Sequence, residues 1–304
     1  MKPAHLYVCD HLSSLRPVVD TTLAMARASR EAGYESHWCL MEDLIWRHDR
    51  LFVFARKFDG NHEVLPGQWV DAAAHFQAAF VRTDPPVGRE YLAGLWLLDA
   101  AEKTGLSVWN RPSTLTWANE KTLILRYPTL IPPTRVTNRI DELKAMIRAE
   151  GTIVLKPLDG NGGRGIFVAA DDDRNLSALL ETATEEGRRQ VMAQKYLDKV
   201  REGDRRVLLV DGEPLAVLNR LPADDEHRAN MHVGARASFV PLNGDDLRIC
   251  SAVAESFREL GLRFVGLDII DGFLTEINVT SPTGVEEVLA GGGPDICAHF
   301  VQRL

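Results

Sequence analysis

The sequence predicts an α/β protein that becomes α+β in its C-terminal half, and three observations carry that expectation. Over roughly the first 120 residues, strand-like and helix-like segments alternate, which is the rhythm of a parallel sheet covered by helices. From about Asn119 onward the pattern changes to paired strands joined by tight turns, with helices between the pairs. The chain of 304 residues is 45% hydrophobic and 26% charged, ordinary values for globular domains, and long enough for two or three of them.

The elements follow in order. "HLYVCD" reads as a strand, and "VDTTLAMARASREAG" as a helix with Asp20 as its N-cap and Gly33 just past its end. "ESHWCL" and "QAAFVRTDPP" are the next strands. "GREYLAGLWLLDAAEKTG" is a helix placing Leu92, Leu95, Trp96 and Leu98 on one face, and "SVWNRP" completes the βαβ rhythm. Arg47 to Trp69 has poor periodicity and reads as an irregular insertion. Further on, "RIDELKAMIRAEG" is a helix before the strand "TIVLKP", and "IFVAA" a strand before the helix "NLSALLETATEEG". "RQVMAQKYL" is a strand, and "RRVLLVDGEPLAVLNRL" folds back on itself at Asp211-Gly212. "DDLRICSAVAESFRELG" is a long helix with Leu247, Cys250, Val253, Ala254, Phe257 and Leu260 on one face. A hairpin, "RFVGLDIIDGFLTEINVTSPTG", and a short helix complete the set.

Bulk properties narrow the function to a soluble cytoplasmic protein. A net charge of −8 argues against a general nucleic-acid binder. No apolar run approaches the ~20 residues that span a bilayer, and the N-terminus lacks the long apolar core of a signal peptide. Cys9, Cys39, Cys250 and Cys297 are scattered, as expected of buried free thiols in a reducing compartment. The nine histidines show no zinc-ligand spacing. A soluble cytoplasmic protein is expected.

Gly160 to Gly165 fit the dinucleotide pattern G-x-G-x-x-G letter for letter. That fingerprint must open a helix, so that a pyrophosphate rests on the helix N-terminus. Here the glycines lead into "IFVAADDD", a β-branched run, so the context is strand, loop, strand. No Gly-Lys-Ser/Thr follows either, which removes the Walker A loop. Two readings stand: a flap whose backbone N–H groups fold over nucleotide phosphates, with Lys156 as a point charge behind it, or a surface hairpin with a solvated lysine.

In "GLDIIDGFLTEINVT", Asp268 lies among Gly, Leu and Ile, where an unpaired carboxylate is expensive. Glu276 and Asn278 are two apart on the next strand and share a face. Their hard oxygens suit Mg²⁺. A strict two-residue turn at Asp271-Gly272 would pair Leu267 with Glu276 and turn Asp268 away, so a metal site requires a bulge. The alternative is an acidic solvent face. Arg205, Arg206, Arg220, Arg228 and Arg236 concentrate cations nearby, for polyanion recognition or as solvated surface charge.

"VLKPLDGNGGRGIF", "GDRRVLLVDGEP", "RANMHVGAR" and "FVGLDIIDGFLTEINVTSPTG" together resemble bacterial glutathione synthetase, an ATP-grasp ligase, from about Arg82 to the C-terminus. The resemblance implies an N-terminal Rossmann-like domain over 1–120, a central lid over 121–192 and a catalytic domain over 193–304. It implies that Lys121 and Lys156 hold ATP phosphates under a flap formed by Gly160, Gly162, Gly163 and Gly165. Gln194, Lys195, Tyr196 and Leu197 would cradle adenine, and Asp204 would meet the ribose. Asp268, Glu276 and Asn278 would bind Mg²⁺, or Mn²⁺ in its place. Arg206 and Arg220 would be catalytic, steadying the transferred phosphoryl group. Arg82, Arg228, Arg236, Thr280, Ser281 and Thr283 would face the peptide substrate.

The implied reaction joins γ-glutamylcysteine and glycine through an acyl phosphate, in a homo-oligomer. The loop "LPADDEHRANMHVGARA" carries less glycine than the family's usual loop, and that loop covers the substrate. A related ligase for another peptide or amino acid, and an ATP-binding regulatory protein without turnover, are the competing readings.

Overall fold

The structure, a computed structural model, describes residues 3–16, 18–60, 62–160, 162–222 and 236–304. The first domain runs β1 (Ala4–Val8), α1 (Thr21–Glu31), β2 (Glu35–Cys39), β3 (Leu44–Arg47), β4 (Arg50–Phe58), β5 (Gln68–Asp71), α2 (Ala72–His75), β6 (Ala78–Val81), α3 (Arg89–Glu102), β7 (Ser107–Trp109) and α4 (Pro112–Leu115). Its sheet has the order β3-β4-β2-β1-β6-β7, with β5 added beside β4. The β2-β1-β6-β7 part is parallel. As expected, Asp20 caps α1, its Oδ1 accepting from the N–H groups of Thr22 and Leu23 at 2.8 and 3.1 Å.

Two expectations change here. Arg47 to Trp69 is no irregular insertion: about half of it is β4 and the start of β5, an antiparallel extension of the sheet. Leu51, Val53 and Ala55 point inward with period two. The other face carries arginines stacked on rings, Arg47 over Phe52 and Trp69 and Arg56 over Phe54, so aromatic and charged residues interleave and blur the pattern. On α3 the buried stripe is Tyr91, Gly94, Leu95, Leu98 and Ala101, while Trp96 is 62% exposed.

The second unit comprises β8 (Thr134–Thr137), α5 (Ile140–Glu150), β9 (Ile153–Pro157), β10 (Phe167–Ala169), α6 (Leu176–Ala183) and β11 (Val191–Lys195). Its antiparallel sheet, β10-β9-β11-β8, packs on both helices around Leu143, Met146, Ile147, Leu155 and Leu180. The boundary expected between residues 192 and 193 falls inside β11. The third unit contains β12 (Asp204–Val210), β13 (Glu213–Leu221), β14 (Arg236–Val240), α7 (Gly244–Leu260), β15 (Phe264–Ile270), β16 (Phe273–Asn278), α8 (Val285–Ala290) and α9 (Ile296–Val301). Its sheet order is β14-β13-β12-β15-β16, antiparallel throughout. In α7 the expected face holds except at Leu247, which is 48% exposed; Ile249 fills the core in its place.

Both hairpin turns have Asp-Gly at their centres with positive φ, +50° and +78° at Asp211-Gly212 and +51° and +73° at Asp271-Gly272. Such turns match the strand twist. In the second hairpin Ile269 pairs with Leu274, yet Asp268 pairs with Glu276: Thr275 is an extra residue, a β-bulge.

The first and third units are nailed together. Asn110 Nδ2 donates to Phe264 O and Val279 O at 2.8 and 2.7 Å, and its Oδ1 accepts from the N–H groups of Arg263 and Phe264. Their apolar residues share one core, with Leu95, Leu123, Phe257 and Leu274 in the same cluster. The segment before the lid also belongs to this body: Ile277 N–H donates to Glu120 O and Leu274 N–H to Leu130 O. Among the described residues, no helix is long and apolar enough to cross a membrane.

Candidate active site

A cavity of about 290 Å³ lies between the lid sheet and the third sheet. From the lid side, Lys156 on β9 reaches Gln194 Oε1 on β11 at 2.7 Å, and Gln194 is oriented in turn by donating to Thr134 Oγ1 at 3.1 Å. Burial pulls the Lys156 ammonium below its ordinary range, against the attraction of Glu276. The glycine loop closes the cavity above. Gly162, Gly163 and Gly165 have φ of +60°, +79° and +70°, which side chains resist. A Cβ on Gly160 would stand 2.8 Å from Pro157 Cγ and 3.1 Å from Arg164 O. Gly160, Gly162 and Gly163 line the cavity directly, as do Lys195 at the end of β11 and Tyr196 and Leu197 just after it. The N–H groups of Lys195 and Tyr196 bond Pro133 O and Thr152 O, each at 2.9 Å.

The floor is the bulged hairpin. The extra residue puts Asp268, Glu276 and Asn278 on one face toward the cavity, while Leu267, Leu274 and Ile277 are buried in the core. Thr275 itself donates from Oγ1 to Asp268 O at 3.1 Å. Asp268 is 3% exposed and held by Arg206, Nε to Oδ1 and Nη2 to Oδ2 at 2.8 Å each, and by Arg220 Nη2 at 2.9 Å. Burial works against its charge, but the two guanidinium groups outweigh it and hold the carboxyl well below the usual range. Asp204 shares Arg220, Oδ2 lying 2.7 Å from Nη2, and its buried Oδ1 has no partner among the described residues. Burial raises the Asp204 carboxyl despite Arg220, with the Asp268 charge adding to the effect.

Lys121 bridges the two walls. Its Nζ donates to Gly160 O at 2.6 Å and sits 3.1 Å from Glu276 Oε1. Thr280, Ser281 and Thr283 line the remaining side.

Three expected substrate residues stand apart. Arg82 is buried behind the Thr280–Thr283 loop, donating to Pro282 O at 3.0 Å and Thr22 Oγ1 at 3.2 Å, and it does not line the cavity. Arg236 opens β14, exposed and paired with Leu221, and is likewise off the cavity wall. Arg228 lies outside the described residues. Arg205, on the other face of β12 from Arg206, holds Asp246 in the α7 cap at 2.5 Å and serves the fold.

Sequence reasoning missed Glu120, which lines the cavity, and Asn110 behind it. The Glu120 carboxyl is raised by burial and then by Glu276. Its position beside Lys121 in "NEK" was the available signal. Asp268, Glu276 and Asn278 present two carboxylates and an amide whose Nδ2 is committed to Gly266 O at 3.2 Å, leaving its oxygen as a ligand atom. That donor set fits a hard divalent cation.

Two antiparallel sheets closing on a cavity, a glycine loop from one and a carboxylate face from the other, define an ATP-grasp protein. D-cycloserine synthetase DcsG superposes with a TM-score of 0.67 at 17% identity over 98% of both chains. The RimK domain protein ATP-grasp from Sphaerobacter thermophilus gives 0.65 at 17% identity over 98% of both chains. At that identity the likeness is one of fold. Sequence is more specific. The model for the prokaryotic glutathione synthetase N-terminal domain matches residues 4–116, and that for the same enzyme's ATP-grasp domain matches residues 120–292. Glutathione synthetase of Parasynechococcus marenigrum (strain WH8102) is 43% identical over 98% of both chains. That of Vibrio parahaemolyticus is 38% identical over 98% of this chain and 96% of its own. The chain belongs to the prokaryotic glutathione synthetase family and is an ATP-dependent ligase.

Proposed function

We propose that the chain joins γ-glutamylcysteine to glycine, giving glutathione, ADP and phosphate. The observation that carries this reading is the single cavity in which Lys121, Lys156, Arg206 and Arg220 face the oxygens of Asp268, Glu276 and Asn278. A carboxylate acylates poorly, so its oxygen first attacks the γ-phosphorus of ATP, forming an acyl phosphate and releasing ADP. The amine of glycine then adds to the acyl carbon, and the tetrahedral intermediate collapses by expelling phosphate. Little covalent chemistry is asked of the protein, so positioning, cations and exclusion of water carry the rate.

Residue roles follow from placement. Lys121 and Lys156 hold the phosphates from opposite walls, under N–H groups of the Gly160–Gly165 loop. Gln194 to Leu197 border the adenine, and Asp204 Oδ1, without a partner among the described residues, accepts from a ribose hydroxyl. Asp268, Glu276 and Asn278 would hold Mg²⁺, for which Mn²⁺ is a substitute, together with the nucleotide; bound there it would offset phosphate charge. On nucleotide binding Lys121 exchanges Glu276 for a phosphate oxygen. Arg206 and Arg220, locked by Asp268, meet the charge that develops on the transferred group. Thr280, Ser281 and Thr283 border the peptide, and Arg82 supports them from behind through Pro282. The four cysteines, all free and buried, suit a reducing cytoplasm; a homo-oligomer is inferred and is checked by light scattering.

ATP, Mg²⁺, γ-glutamylcysteine and glycine should yield glutathione with one ADP per peptide bond, read by chromatography and a coupled ADP assay. Absence of both products, with another carboxylate–amine pair stimulating ADP release, would overturn the glutathione reading.

A further inference from the structure

Beyond the end of β16 the ladder with β15 stops, at the pair Gly266–Asn278. The next two residues are still inside the protein: Val279 is 0% and Thr280 3% exposed. Buried N–H groups there need acceptors from elsewhere. A single residue from a distant segment supplies them. Glu120 Oε1 accepts from Val279 N–H at 2.8 Å, from Thr280 N–H at 3.0 Å and from Thr280 Oγ1 at 2.8 Å. Its backbone oxygen accepts from Ile277 N–H at 3.0 Å. Glu120 therefore brackets the four residues Ile277 to Thr280 from both ends. Between the brackets lies Asn278, on the carboxylate face. At the far bracket lies Thr280, which lines the cavity beside Ser281 and Thr283.

The neighbours of Glu120 extend the same junction. Asn119 Nδ2 donates to Leu158 O at the base of the glycine loop, at 2.8 Å. Lys121 holds Gly160 O and Glu276. Three consecutive side chains thus fix the loop, the strand end and the carboxylate face against one another.

We propose that Glu120 is a positioning residue that sets the metal side and the peptide side of the cavity together, by holding the Ile277–Thr280 stretch in register. It acts through the backbone, so the acceptor oxygen matters and the negative charge does not. This inference rests on the proposed roles of Asn278 and Thr280.

The test uses the full chain with Glu120→Ala and Glu120→Gln. Mg²⁺ affinity is measured by calorimetry on the ADP complex, and KM is measured for γ-glutamylcysteine and for ATP. With Ala, two buried N–H groups lose their acceptor, and the Mg²⁺ dissociation constant and the donor KM should both rise, by roughly tenfold each. Affinity for ADP without Mg²⁺, set by nucleotide contacts outside the Ile277–Thr280 stretch, should stay within about twofold. Gln keeps an acceptor oxygen at the same place, so it should recover most of the loss, with the Mg²⁺ dissociation constant and the donor KM within about threefold of the parent's. A change in donor KM alone, or a Gln variant as impaired as Ala, would overturn the proposal and make Glu120 a direct ligand for a cationic group. If the Ala variant does not fold, Glu120→Asp, which withdraws the acceptor by one methylene, is read by the same criteria. If the parent makes no ADP from this pair, the proposed function fails, while the Mg²⁺ titrations still decide the role of Glu120.

Discussion

Arg206 holds both carboxylate oxygens of Asp268 through two 2.8 Å contacts, and Arg220 adds a third at 2.9 Å. A buried carboxylate serving two guanidinium groups is costly to alter. Asp268→Asn keeps the shape but leaves those cations to share Asp204, so unfolding free energy should fall by about 3–5 kcal/mol and ADP formation should be lost. Arg206→Lys keeps the charge but cannot make the paired contact, and should cost less. Urea denaturation of the three proteins checks the order; equal stability of Asp268→Asn and the parent would contradict it.

Lys156 contacts Gln194 at the cavity wall and contributes nothing to the apolar core of the lid. Lys156→Ala should therefore retain the parent's circular dichroism and melting behaviour while weakening ATP binding by about tenfold or more, the size of a lost charge-assisted bond. Calorimetry with ATP decides it, and unchanged affinity removes the phosphate role.

Glu276→Gln removes a carboxylate oxygen from the face proposed to hold Mg²⁺ and frees Lys121 of its ion pair. The Mg²⁺ concentration for half-maximal activity should rise severalfold, roughly 5–20-fold for one charged ligand. Metal-free ADP binding should be unchanged or tighter, because Lys121 becomes more available to phosphate. A rise in nucleotide dissociation constant with no change in Mg²⁺ requirement would show that Glu276 serves the nucleotide alone.

Two buried histidines set a pH dependence of stability. Burial pushes His5 down to about 4, and burial, reinforced by His75, pushes His37 down to about 4. Both are neutral in the fold, whereas in the unfolded chain they titrate near 6.5. Their contribution is intact above about 6.5, and between there and about 4 the unfolded state gains protons that the folded state refuses, at about 1.4 kcal/mol per pH unit for each histidine. Urea midpoints at pH 7.5 and 5.5 should differ accordingly. His5→Asn, which retains an acceptor or donor toward Ser29 where His5 Nδ1 makes a 2.9 Å bond, should flatten the slope. A slope identical to the parent's would exclude His5 as a source.

Much of this was legible in residue order. The βαβ rhythm, the Asp-Gly turns and the strand on either side of the glycine loop are local signals, and the corresponding elements formed where spacing put them. What local reasoning could not reach is backbone partnership across long separations. Glu120 bonds residues about 160 positions away, so its neighbours in sequence do not reveal its purpose. Arg82 is a similar case: "RTDPP" gives no sign that the guanidinium turns inward to Pro282, 200 positions on. The strand β4 was hidden for a different reason, since arginines lying on aromatic rings break the expected alternation of polar and apolar residues.

The extra residue in the second hairpin bears on which changes of length this strand tolerates. Most deletions within a half-buried strand invert every side chain beyond them, sending core residues outward and functional residues inward. Thr275 is different, because it already stands outside the count: Leu274 faces Ile269 and Glu276 faces Asp268 with Thr275 between them. Removing it would join two correctly faced halves, leaving Glu276, Ile277 and Asn278 on their present sides at the expense of the Thr275–Asp268 bond. Removing Leu274 instead would put Thr275 in its place in the core, and removing Ile277 would turn Glu276 inward. Along these six residues, evolution or an engineer has one position at which a codon can be dropped with every remaining residue kept on its present side. A chain lacking Thr275 should melt well above chains lacking Leu274 or Ile277, and melting the three variants side by side is enough to find out.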